Sequence, residues 1–373
     1  MKLKLHIVSF DVPFPPNYGG VIDVFYKIKA LHKLGVKIHL HTFTYGRGKP
    51  NELKQYCEEI SYYKRGSFIN LFSRKPYIVK TRKSSLLTQN LLKDDYPILF
   101  EGIHTTYPLI NTQFKNRIVL VRTHNIEHDY YVGLAKSEKK ILKKIFFNIE
   151  SKKLKYYEKI IQKVNYILTI SPSEHNYFVN KFGSKCNYIP VFHKEETVTQ
   201  LSEKGDYALY HGDLRVADNI KATQYLIDIF KDLDYPLIIA SSFINNAILE
   251  EIKHHKHIQF IELDYTKKNQ LDDLFHNAHI NVLPTFQATG IKLKLIHALF
   301  SSRFCVVTPE MVTQTGLETL CKIGETKAVF KTKVIEYINT NYSVEHLALK
   351  TEKLAAFNTL QSAQKIINLI NNK

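Results

Sequence analysis

The most constraining feature of the sequence is its opening, which has the pattern of a strand, a turn, a helix and a second strand. The apolar run KLKLHIVSF is followed by the turn DVPFPPNYGG and then by apolar residues at helical spacing. Gly35 is positioned to end that helix, and VKIHLHTF, residues 36–43, alternates apolar with polar residues as a strand does. This order predicts a parallel sheet with a right-handed crossover.

The same pattern continues along the chain and then starts again. Short apolar runs, as far as YILTIS at 166–171, are separated by helical stretches. After a polar segment at 190–205, a strand pattern returns at YALYHGD, and strands alternate with helices beyond it. Because 373 residues exceed what one ordinary core holds, the chain is expected to form more than one domain.

We therefore predict an α/β protein with two Rossmann-like, doubly wound domains that face a cleft. The first domain is expected at 1–190 and the second at 195–350, with a terminal helix in 351–373 packed at the domain junction. Open α/β sheets bind ligands beyond the carboxyl ends of their strands. The cleft between the two sheets is accordingly the expected site.

Charge and cysteine content restrict the partners and the compartment. The formal net charge of +17 favours an acidic partner such as a nucleic acid, an anionic lipid or a phosphorylated small molecule. The four cysteines form no C-x-x-C pair, and the N-terminus lacks the apolar segment of a secretion signal. Because the sequence has no run of 18 apolar residues, we expect a cytoplasmic protein whose membrane contact is at most peripheral.

Two basic segments lie in the N-terminal half. Lys64–Lys83 contains seven Lys or Arg residues and no acid, and Lys136–Lys163 contains ten lysines and three glutamates. No nucleic-acid-binding motif accompanies them, so the alternatives are ordinary solvated faces or contact with the inner face of an anionic membrane. The second segment also predicts a helix that packs an apolar face on its own domain and turns its lysines outward. That face consists of Ile141, Leu142, Ile145, Phe146 and Ile149.

The stretch ATGIKLKLIHALF, residues 288–300, predicts an anion site. It places Lys292 and Lys294 at the start of an apolar-periodic helix, where the helix dipole disfavours cations by up to about 1 kcal/mol unless an anion is present. The free amides of a helix start, Gly290 and the lysines would together bind a phosphate. The competing interpretation is a solvated helix start with incidental lysines.

Five stretches occur in an order that is found in one enzyme family. They are PFPPNYGGVIDVFYKIKALHKLGVKIHLHTF, RIVLVRTHNIEHDYY, YEKIIQKVNYILTISPSEHNYF, YALYHGDLRVADNIKA and NVLPTFQATGIKLKLIHALFSSRFCVVTPEMVTQTGL. They resemble, in turn, the opening, the strand and histidine near the transferred sugar, the end of the N-terminal domain, the start of the second domain, and the donor-binding block of GT-B glycosyltransferases. The closest resemblance is to the family-four-like (group 1) retaining enzymes, and it spans nearly the whole chain.

The resemblance implies a hexosyl-type glycosyltransferase that moves a sugar from a nucleotide-diphosphate sugar to a glycan or lipid-linked acceptor in cell-envelope polysaccharide synthesis. It also implies retention of configuration and no requirement for a metal or other cofactor, because fixed positive groups would stabilise the departing diphosphate. His124 is implied to orient the donor sugar. The donor-binding residues are implied to be Gly19, Gly20, Arg215, Thr289, Gly290, Ile291, Lys292, His297 and Gly316.

The chain departs from the family at three positions of the donor-binding block. At two of them the family has glutamates, one near the donor sugar and one on the nucleotide ribose, whereas this sequence has Thr289 and His297. At the third, an acidic residue is common in the family, whereas this sequence has Thr315. His297 can still hydrogen-bond a ribose hydroxyl, and Thr289 can reach the sugar or the phosphate, but neither supplies a carboxylate. This departure leaves a second hypothesis open, in which a catalytically degenerate two-domain protein binds a phosphorylated ligand or a partner.

Three further motifs have metal-binding interpretations. HNIEH, His124–His128, matches the H-x-x-E-H arrangement of zinc peptidases, but it follows a strand instead of lying inside a helix. DLD, Asp232–Asp234, is expected in a solvated turn, and HHKH, His254–His257, in a surface loop. We therefore expect no metal site from these motifs.

Overall fold

The computed structural model describes residues 2–66, 73–264, 269–286, 293–313 and 315–372. These residues form two compact units. The first comprises residues up to 194 together with 357–372, and the second comprises the described residues from 195 to 356.

The first unit is an open parallel sheet with flanking helices. Its strands are β1 Lys4–Ser9, β2 Lys37–Thr44, β3 Glu59–Lys64, β4 Ile98–Glu101, β5 Val119–Arg122, β6 Tyr166–Thr169 and β7 Cys186–Tyr188. Its first six helices are α1 Gly19–Lys33, α2 Tyr77–Lys80, α3 Ser85–Leu91, α4 Glu127–Ser137, α5 Ile141–Tyr157 and α6 Pro172–Phe182. The strand order is β3-β2-β1-β4-β5-β6-β7, and every pairing is parallel.

The second unit repeats this architecture with six strands. They are β8 Tyr207–His211, β9 Leu237–Ser241, β10 Ile258–Glu262, β11 Ala278–Leu283, β12 Phe304–Val307 and β13 Lys322–Ile323. Its helices are α7 Ala217–Phe230, α8 Asn246–Ile252, α9 Gln270–Asn277, α10 Leu293–Ser301, α11 Pro309–Val312, α12 Lys327–Ile338 and α13 Val344–Leu354. The strand order is β10-β9-β8-β11-β12-β13, again all parallel. Two doubly wound α/β units are therefore confirmed.

The first βαβ unit forms as its sequence predicts. β1 and β2 pair with Lys4 opposite Lys37, and α1 buries Val24 and Ile28 completely in the core cluster beside the sheet. Gly35 follows α1 with φ of 85°, a backbone conformation that costs glycine little. Hydrophobic periodicity thus determines which side of α1 faces the sheet.

Three edge strands were not predicted from the sequence. β7 has three residues and β13 has two, which is too short for an alternating pattern to be recognised. β3 is longer, but most of its side chains are partly or fully exposed, so it lacks the continuous apolar run of the central strands. The central strands of both sheets are among those that the sequence identifies.

The C-terminal helix α14, Thr359–Asn371, belongs to the first unit. Its Ala363, Ile366 and Ile370 lie in the same buried cluster as Val24 and Ile28 of α1. The segment 351–373, predicted as one helix, contains the end of α13, a short 3₁₀ turn and α14. The chain therefore finishes on the domain in which it began.

The prediction for the apolar face of α5 is wrong. The helix forms, but the exposed fraction is 73% for Ile141 and 82% for Leu142, and Ile145 and Ile149 are exposed as well. The side of α5 that packs on the protein carries other residues, since the ring of Phe147 lies 5.9 Å from that of Tyr131 on α4. Periodicity identified an apolar stripe, but the neighbouring helix covers a different one.

Two further findings concern membranes and cysteines. None of the helices within the described residues combines the length and apolarity needed to cross a bilayer. All four cysteines are free thiols, and Cys57, Cys186 and Cys305 are buried.

Candidate functional site

The carboxyl edge of the first sheet gathers the polar residues of this unit. Glu101 is the last residue of β4, Arg122 is the last residue of β5, and His124 follows two positions later. Because all the strands are parallel, these ends meet at one edge, where ligands of doubly wound sheets bind. The predicted residue His124 therefore lies at the carboxyl edge of this sheet, next to Glu101 and Arg122.

His124 is fixed by a carboxylate that the sequence did not reveal. Its Nε2 lies 3.0 Å from Oε2 of Glu101, and its ring meets that of Phe10 edge-on at 5.3 Å. Glu101 is completely buried, and the side chain of His124 is 7% exposed. The imidazole therefore lies between the buried Glu101 carboxylate and the sheet edge.

Behind His124 lies a buried cluster of four charged side chains. Lys27 donates to Glu101 at 2.7 Å and 2.8 Å and to Asp23 at 2.9 Å. Arg122 donates two hydrogen bonds to Asp23, at 2.8 Å and 3.2 Å, and also donates to the carbonyl oxygen of Pro190 at 3.0 Å. Two cations and two anions with no solvent exposure compensate one another, as buried charges must.

The pKa values of the two carboxyls follow from this pairing. Burial alone would raise the pKa of Glu101, but the nearby Lys27 and the hydrogen bond from His124 outweigh it and hold that pKa below its ordinary value. For Asp23, burial is likewise outweighed by Arg122 and Lys27, and the pKa of its carboxyl lies far below the ordinary range. Both groups are therefore anionic at neutral pH.

Asp23, Glu101 and His124 lie close enough together for a metal ion to be considered. The ammonium of Lys27 already takes both oxygens of Glu101, and Arg122 takes both oxygens of Asp23. The carboxylates are therefore satisfied by the protein's own cations. These residues fit an internal ion network better than a metal site.

Gly19 and Gly20 form the first turn of α1 at the same edge. No side chain caps this helix start and no acid lies in its first turn, so its amides are suited to an anion. A Cβ atom on Gly20 would lie 2.7 Å from Cζ of Phe10, the ring that also packs against His124. Gly20 thus allows the ring of Phe10 to approach the start of α1 closely.

The loop between β1 and α1 is held by two arginines and one aspartate. Arg82 is buried and donates to the carbonyl oxygen of Phe10 at 2.9 Å, and Arg47 donates to that of Val12 at 2.8 Å. Asp11 accepts from the hydroxyl of Tyr18, the residue before α1, at 2.9 Å. Arg82 belongs to the basic segment Lys64–Lys83. Because its side chain is buried and hydrogen-bonded to the loop, it stabilises the loop and adds no charge to the protein surface.

The zinc-peptidase interpretation of HNIEH has no support in the geometry. α4 begins at Glu127, so His124 lies outside the helix and does not share a helical face with His128. His128 faces the hydroxyl of Tyr177 at 2.9 Å, whereas His124 faces Glu101. Burial raises the pKa of Glu127 to about 7, and the hydrogen bond from Asn125 and the charge of Arg82 only partly oppose that effect.

A separate histidine cluster connects β1, β2, β3 and the segment that precedes β4. His6 donates through Nε2 to Asp94 at 2.9 Å, its Nδ1 faces His41 at 2.8 Å, and His41 in turn faces the hydroxyl of Tyr63 at 2.7 Å. Burial lowers the pKa of His6 and brings that of His41 to about 3. A continuous chain of hydrogen bonds between neutral imidazoles therefore gives this cluster a structural role.

In the second unit, Asp218 holds the residues that follow β11 through two hydrogen bonds. This first-turn residue of α7 accepts from the hydroxyl of Thr285 at 2.6 Å and from the backbone N–H of Phe286 at 3.0 Å. Thr308, after β12, donates to the carbonyl oxygen of Thr285 at 2.8 Å. Sequence reasoning missed Asp218, although an acid in the first turn of a helix that follows a strand was a usable signal.

Arg215 lies in the loop between β8 and α7. Its guanidinium donates to both carboxylate oxygens of Asp213, at 2.7 Å and 3.1 Å, and lies 3.4 Å from the ring centre of Phe243. The side chain is nevertheless 63% exposed. A ligand phosphate at this position would share the guanidinium with Asp213.

The structure describes two of the predicted residues of α10, Lys294 and His297, and they contact different side chains. Nζ of Lys294 donates to Oδ1 of Asn219 at 3.0 Å. Nε2 of His297 lies 3.2 Å from Asp272 and 3.4 Å from Glu195. α10 itself has no carboxylate, but two carboxylates from elsewhere lie near His297. One comes from α9 and the other from the segment that precedes β8.

Of the remaining predicted donor residues, the structure describes only Gly316. Thr289, Gly290, Ile291 and Lys292 lie outside the described residues. Gly316 has φ of 80°, a turn conformation suited to glycine. It follows Thr315, whose backbone N–H donates to Glu318 at 3.2 Å, so an acidic side chain is available near this turn.

Comparison with known proteins decides the fold. No family model matches the sequence. An uncharacterized 44.6 kDa protein in the cps region of Klebsiella pneumoniae is 27% identical over 383 residues, which cover 96% of this chain and 95% of the relative. A mutant of S. aureus TarM, solved with Fondaparinux, alpha-GlcNAc-glycerol and UDP, superposes with a TM-score of 0.66 at 12% identity, over 100% of both chains. The glycosyltransferase of Rickettsia africae ESF-5 gives 0.64 at 14% identity, also over 100% of both.

The chain has the GT-B fold. The predicted fold class is thereby confirmed over the whole length of the chain. At these identities the structural neighbours establish the architecture of the GT-B glycosyltransferases and not the substrates of this chain.

Proposed function

We propose that this GT-B protein is a hexosyl-type glycosyltransferase that uses a nucleotide-diphosphate sugar and transfers the sugar to a glycan or lipid-linked acceptor. The observation that carries the proposal is the prebuilt edge of the first sheet, where His124 is held by Glu101 beside the uncapped start of α1. Such an edge combines a hydrogen-bonding imidazole with free helix amides, which suits a ligand that has both hydroxyls and phosphates. TarM, with the same fold, was solved with UDP and a GlcNAc derivative.

Donor binding in the second unit is assigned to the loop after β8 and to the start of α10. Arg215 would supply a cation for the diphosphate, and Lys292 would supply a second one beside Gly290. His297, with Asp272 and Glu195 around it, would bind the nucleotide ribose through a mixed imidazole and carboxylate group. This arrangement would replace the glutamate that the sequence lacks and favours a functional enzyme over a degenerate one.

We further propose that transfer retains configuration and needs no metal. Fixed cations and helix amides would stabilise the leaving diphosphate, which is the role a metal has in other transferases. Support comes from the buried carboxylates of the first unit, which are neutralised by Lys27 and Arg122. Those carboxylates are thereby occupied by internal partners.

The acceptor is proposed to be membrane-bound, within cell-envelope polysaccharide synthesis on the inner face of the membrane. The exposed stripe of α5, defined by Ile141, Leu142, Ile145 and Ile149, is flanked by exposed lysines. Each large aliphatic side chain that leaves water contributes about 1.5–3 kcal/mol, and each lysine near an anionic surface contributes about 1 kcal/mol. The relative in a cps region is consistent with such an acceptor.

The donor proposal is tested by thermal stabilisation with UDP-, GDP-, CDP- and ADP-sugars in the presence of EDTA. A ligand that binds only the folded state raises Tm, by an amount that grows with its concentration over Kd. We expect one nucleotide class to raise Tm. A well-folded sample that responds to none of them would contradict the proposal and favour the degenerate protein.

The membrane proposal is tested by co-sedimentation with vesicles that contain phosphatidylglycerol, with pure phosphatidylcholine vesicles as the reference. The double variant Ile141→Ser/Leu142→Ser should bind at least tenfold more weakly than the wild type. Val344→Ser is a matched control, because Val344 is 77% exposed on α13 of the second unit. Equal binding by the wild type and the double variant would contradict the role of the α5 stripe.

A further inference from the structure

The structure assigns a role to Glu101 that no sequence motif indicated. We propose that Glu101, held by Lys27, is a positioning residue that fixes His124 as the Nε2–H tautomer and presents its Nδ1 to a hydroxyl group of the ligand. The identity of that ligand as a sugar rests on the proposed function. The state of the imidazole does not.

The hydrogen-bond chemistry of Glu101 sets the direction of its bond to His124. Both oxygens of Glu101 accept from the ammonium of Lys27, at 2.7 Å and 2.8 Å, so the carboxylate is ionised. An ionised carboxylate has no hydrogen to donate. Nε2 of His124, 3.0 Å from Oε2, must therefore carry the hydrogen and donate it.

The charge balance of the buried cluster favours a neutral imidazole. Lys27 and Arg122 are matched by Asp23 and Glu101, all four without solvent exposure. A protonated His124 would add one uncompensated positive charge beside them, and an unbalanced buried charge is costly. The favoured state is neutral, with the hydrogen on Nε2 and a free electron pair on Nδ1.

The free nitrogen determines what His124 recognises. Within the part of the chain that the structure describes, Nε2 is the only atom of this imidazole for which a hydrogen bond is found, so Nδ1 is available to a ligand. A lone pair accepts a hydrogen bond from a hydroxyl but not from a fully ionised phosphate, which has no hydrogen to give. Glu101 thus makes His124 selective for a sugar hydroxyl and leaves phosphate binding to the helix amides and cations.

The direct test is the ¹⁵N chemical shifts of the His124 ring in the wild-type protein near neutral pH, assigned by comparison with His124→Gln. We expect a protonated-type shift at Nε2 and an unprotonated-type shift at Nδ1. An Nδ1–H tautomer, a rapidly exchanging mixture or an imidazolium would each overturn the proposal. This measurement needs no substrate.

The variant Glu101→Gln tests the positioning role. Lys27 can only donate, so it is expected to take the amide oxygen and leave the amide NH₂ facing His124, which reverses the tautomer to Nδ1–H. We expect that reversal together with about a tenfold to hundredfold loss of kcat and a smaller change in KM. An unchanged tautomer and unchanged kcat in the variant would overturn the proposal.

Glu150→Gln is the matched control. Glu150 is also completely buried and is paired with a lysine, Lys153, at 2.8 Å. The control should lose stability without altering the His124 ring shifts. If Glu101→Gln does not fold, the wild-type spectrum still decides the proposal. An Nε2–H ring in a protein that binds no nucleotide sugar would contradict the proposed function and leave the assignment to Glu101 standing.

Discussion

The two units hold the polar groups at their strand ends in different ways. In the first, His124 is hydrogen-bonded to Glu101, which belongs to a cluster of four completely buried charged side chains that neutralise one another. In the second, Arg215 is largely exposed and shares its charge with Asp213, and Asp218 accepts hydrogen bonds from Thr285 and Phe286. Every charge of the first arrangement is shielded from water, so the loss of one partner should be costly, whereas Arg215 in the second remains accessible to a charged ligand. Substitutions should therefore affect stability in the first unit and ligand affinity in the second.

The largest expected effect comes from Asp23→Asn. The change leaves Lys27 and Arg122 with one carboxylate between them, and loss of one partner from a buried ion network costs about 3–5 kcal/mol. The free energy of unfolding, measured by urea denaturation, should fall by that amount. The control Asp213→Asn breaks an exposed pair in the second unit and should cost less than about 1 kcal/mol. Similar losses in the two variants would remove the contrast between the units.

A smaller effect, with a defined pH dependence, is expected for Glu127→Gln. The folded protein raises the pKa of Glu127 to about 7, so between its unfolded pKa near 4.5 and pH 7 the folded state binds more protons than the unfolded state. The wild type therefore loses stability as pH rises through that window, and the variant does not. The variant's stability relative to the wild type should increase by about 1–3 kcal/mol from pH 4.5 to pH 8.

The measurement for this variant is urea denaturation at both pH values. If the stability of the variant relative to the wild type does not change with pH, or rises as pH falls, the raised pKa of Glu127 is contradicted. The result would sharpen the comparison, because the first unit would then contain both anionic carboxyls that are neutralised by buried cations, such as Glu101, and a carboxyl whose pKa is raised by burial, Glu127.

The smallest effect on stability is expected in the second unit, for Lys292→Ala. The donor Kd, measured by calorimetry, should rise at least tenfold, which corresponds to about 1.4 kcal/mol, while Tm stays unchanged. Lys294→Ala is the matched control, because Lys294 already donates to Asn219 within the unit. Donor affinity that is unaltered in Lys292→Ala would contradict the diphosphate assignment.

The fold was largely predictable because hydrophobic periodicity and the glycines and prolines that end helices and strands are local signals in the sequence. The run from KLKLHIVSF to VKIHLHTF determined β1, α1 and β2, and the position of His124 after a strand determined its edge. Asp23 and Lys27, four residues apart on the buried side of α1, were a missed signal for an ion network. Their partners Glu101 and Arg122 are distant in sequence, so no local pattern could pair them.

The exposed stripe of α5 was not predictable for a different reason. Helical periodicity shows that Ile141 and Ile145 share a face, but it does not show whether another helix covers that face. α4 covers the side that carries Phe147 instead. The carboxylates near His297 likewise come from Asp272 and Glu195, which lie on other elements.

The central claim is glycosyl transfer from a nucleotide sugar. The most direct measurement is the release of nucleoside diphosphate from UDP-, GDP-, CDP- and ADP-sugars in EDTA, with and without a lipid extract of cell membranes as acceptor, for the wild type and His124→Ala. We predict that the wild type releases nucleoside diphosphate from the sugars of one nucleotide class. The extract should stimulate this release, and His124→Ala should lose it. No release from any donor by the folded wild-type protein, or equal release by His124→Ala, would contradict it.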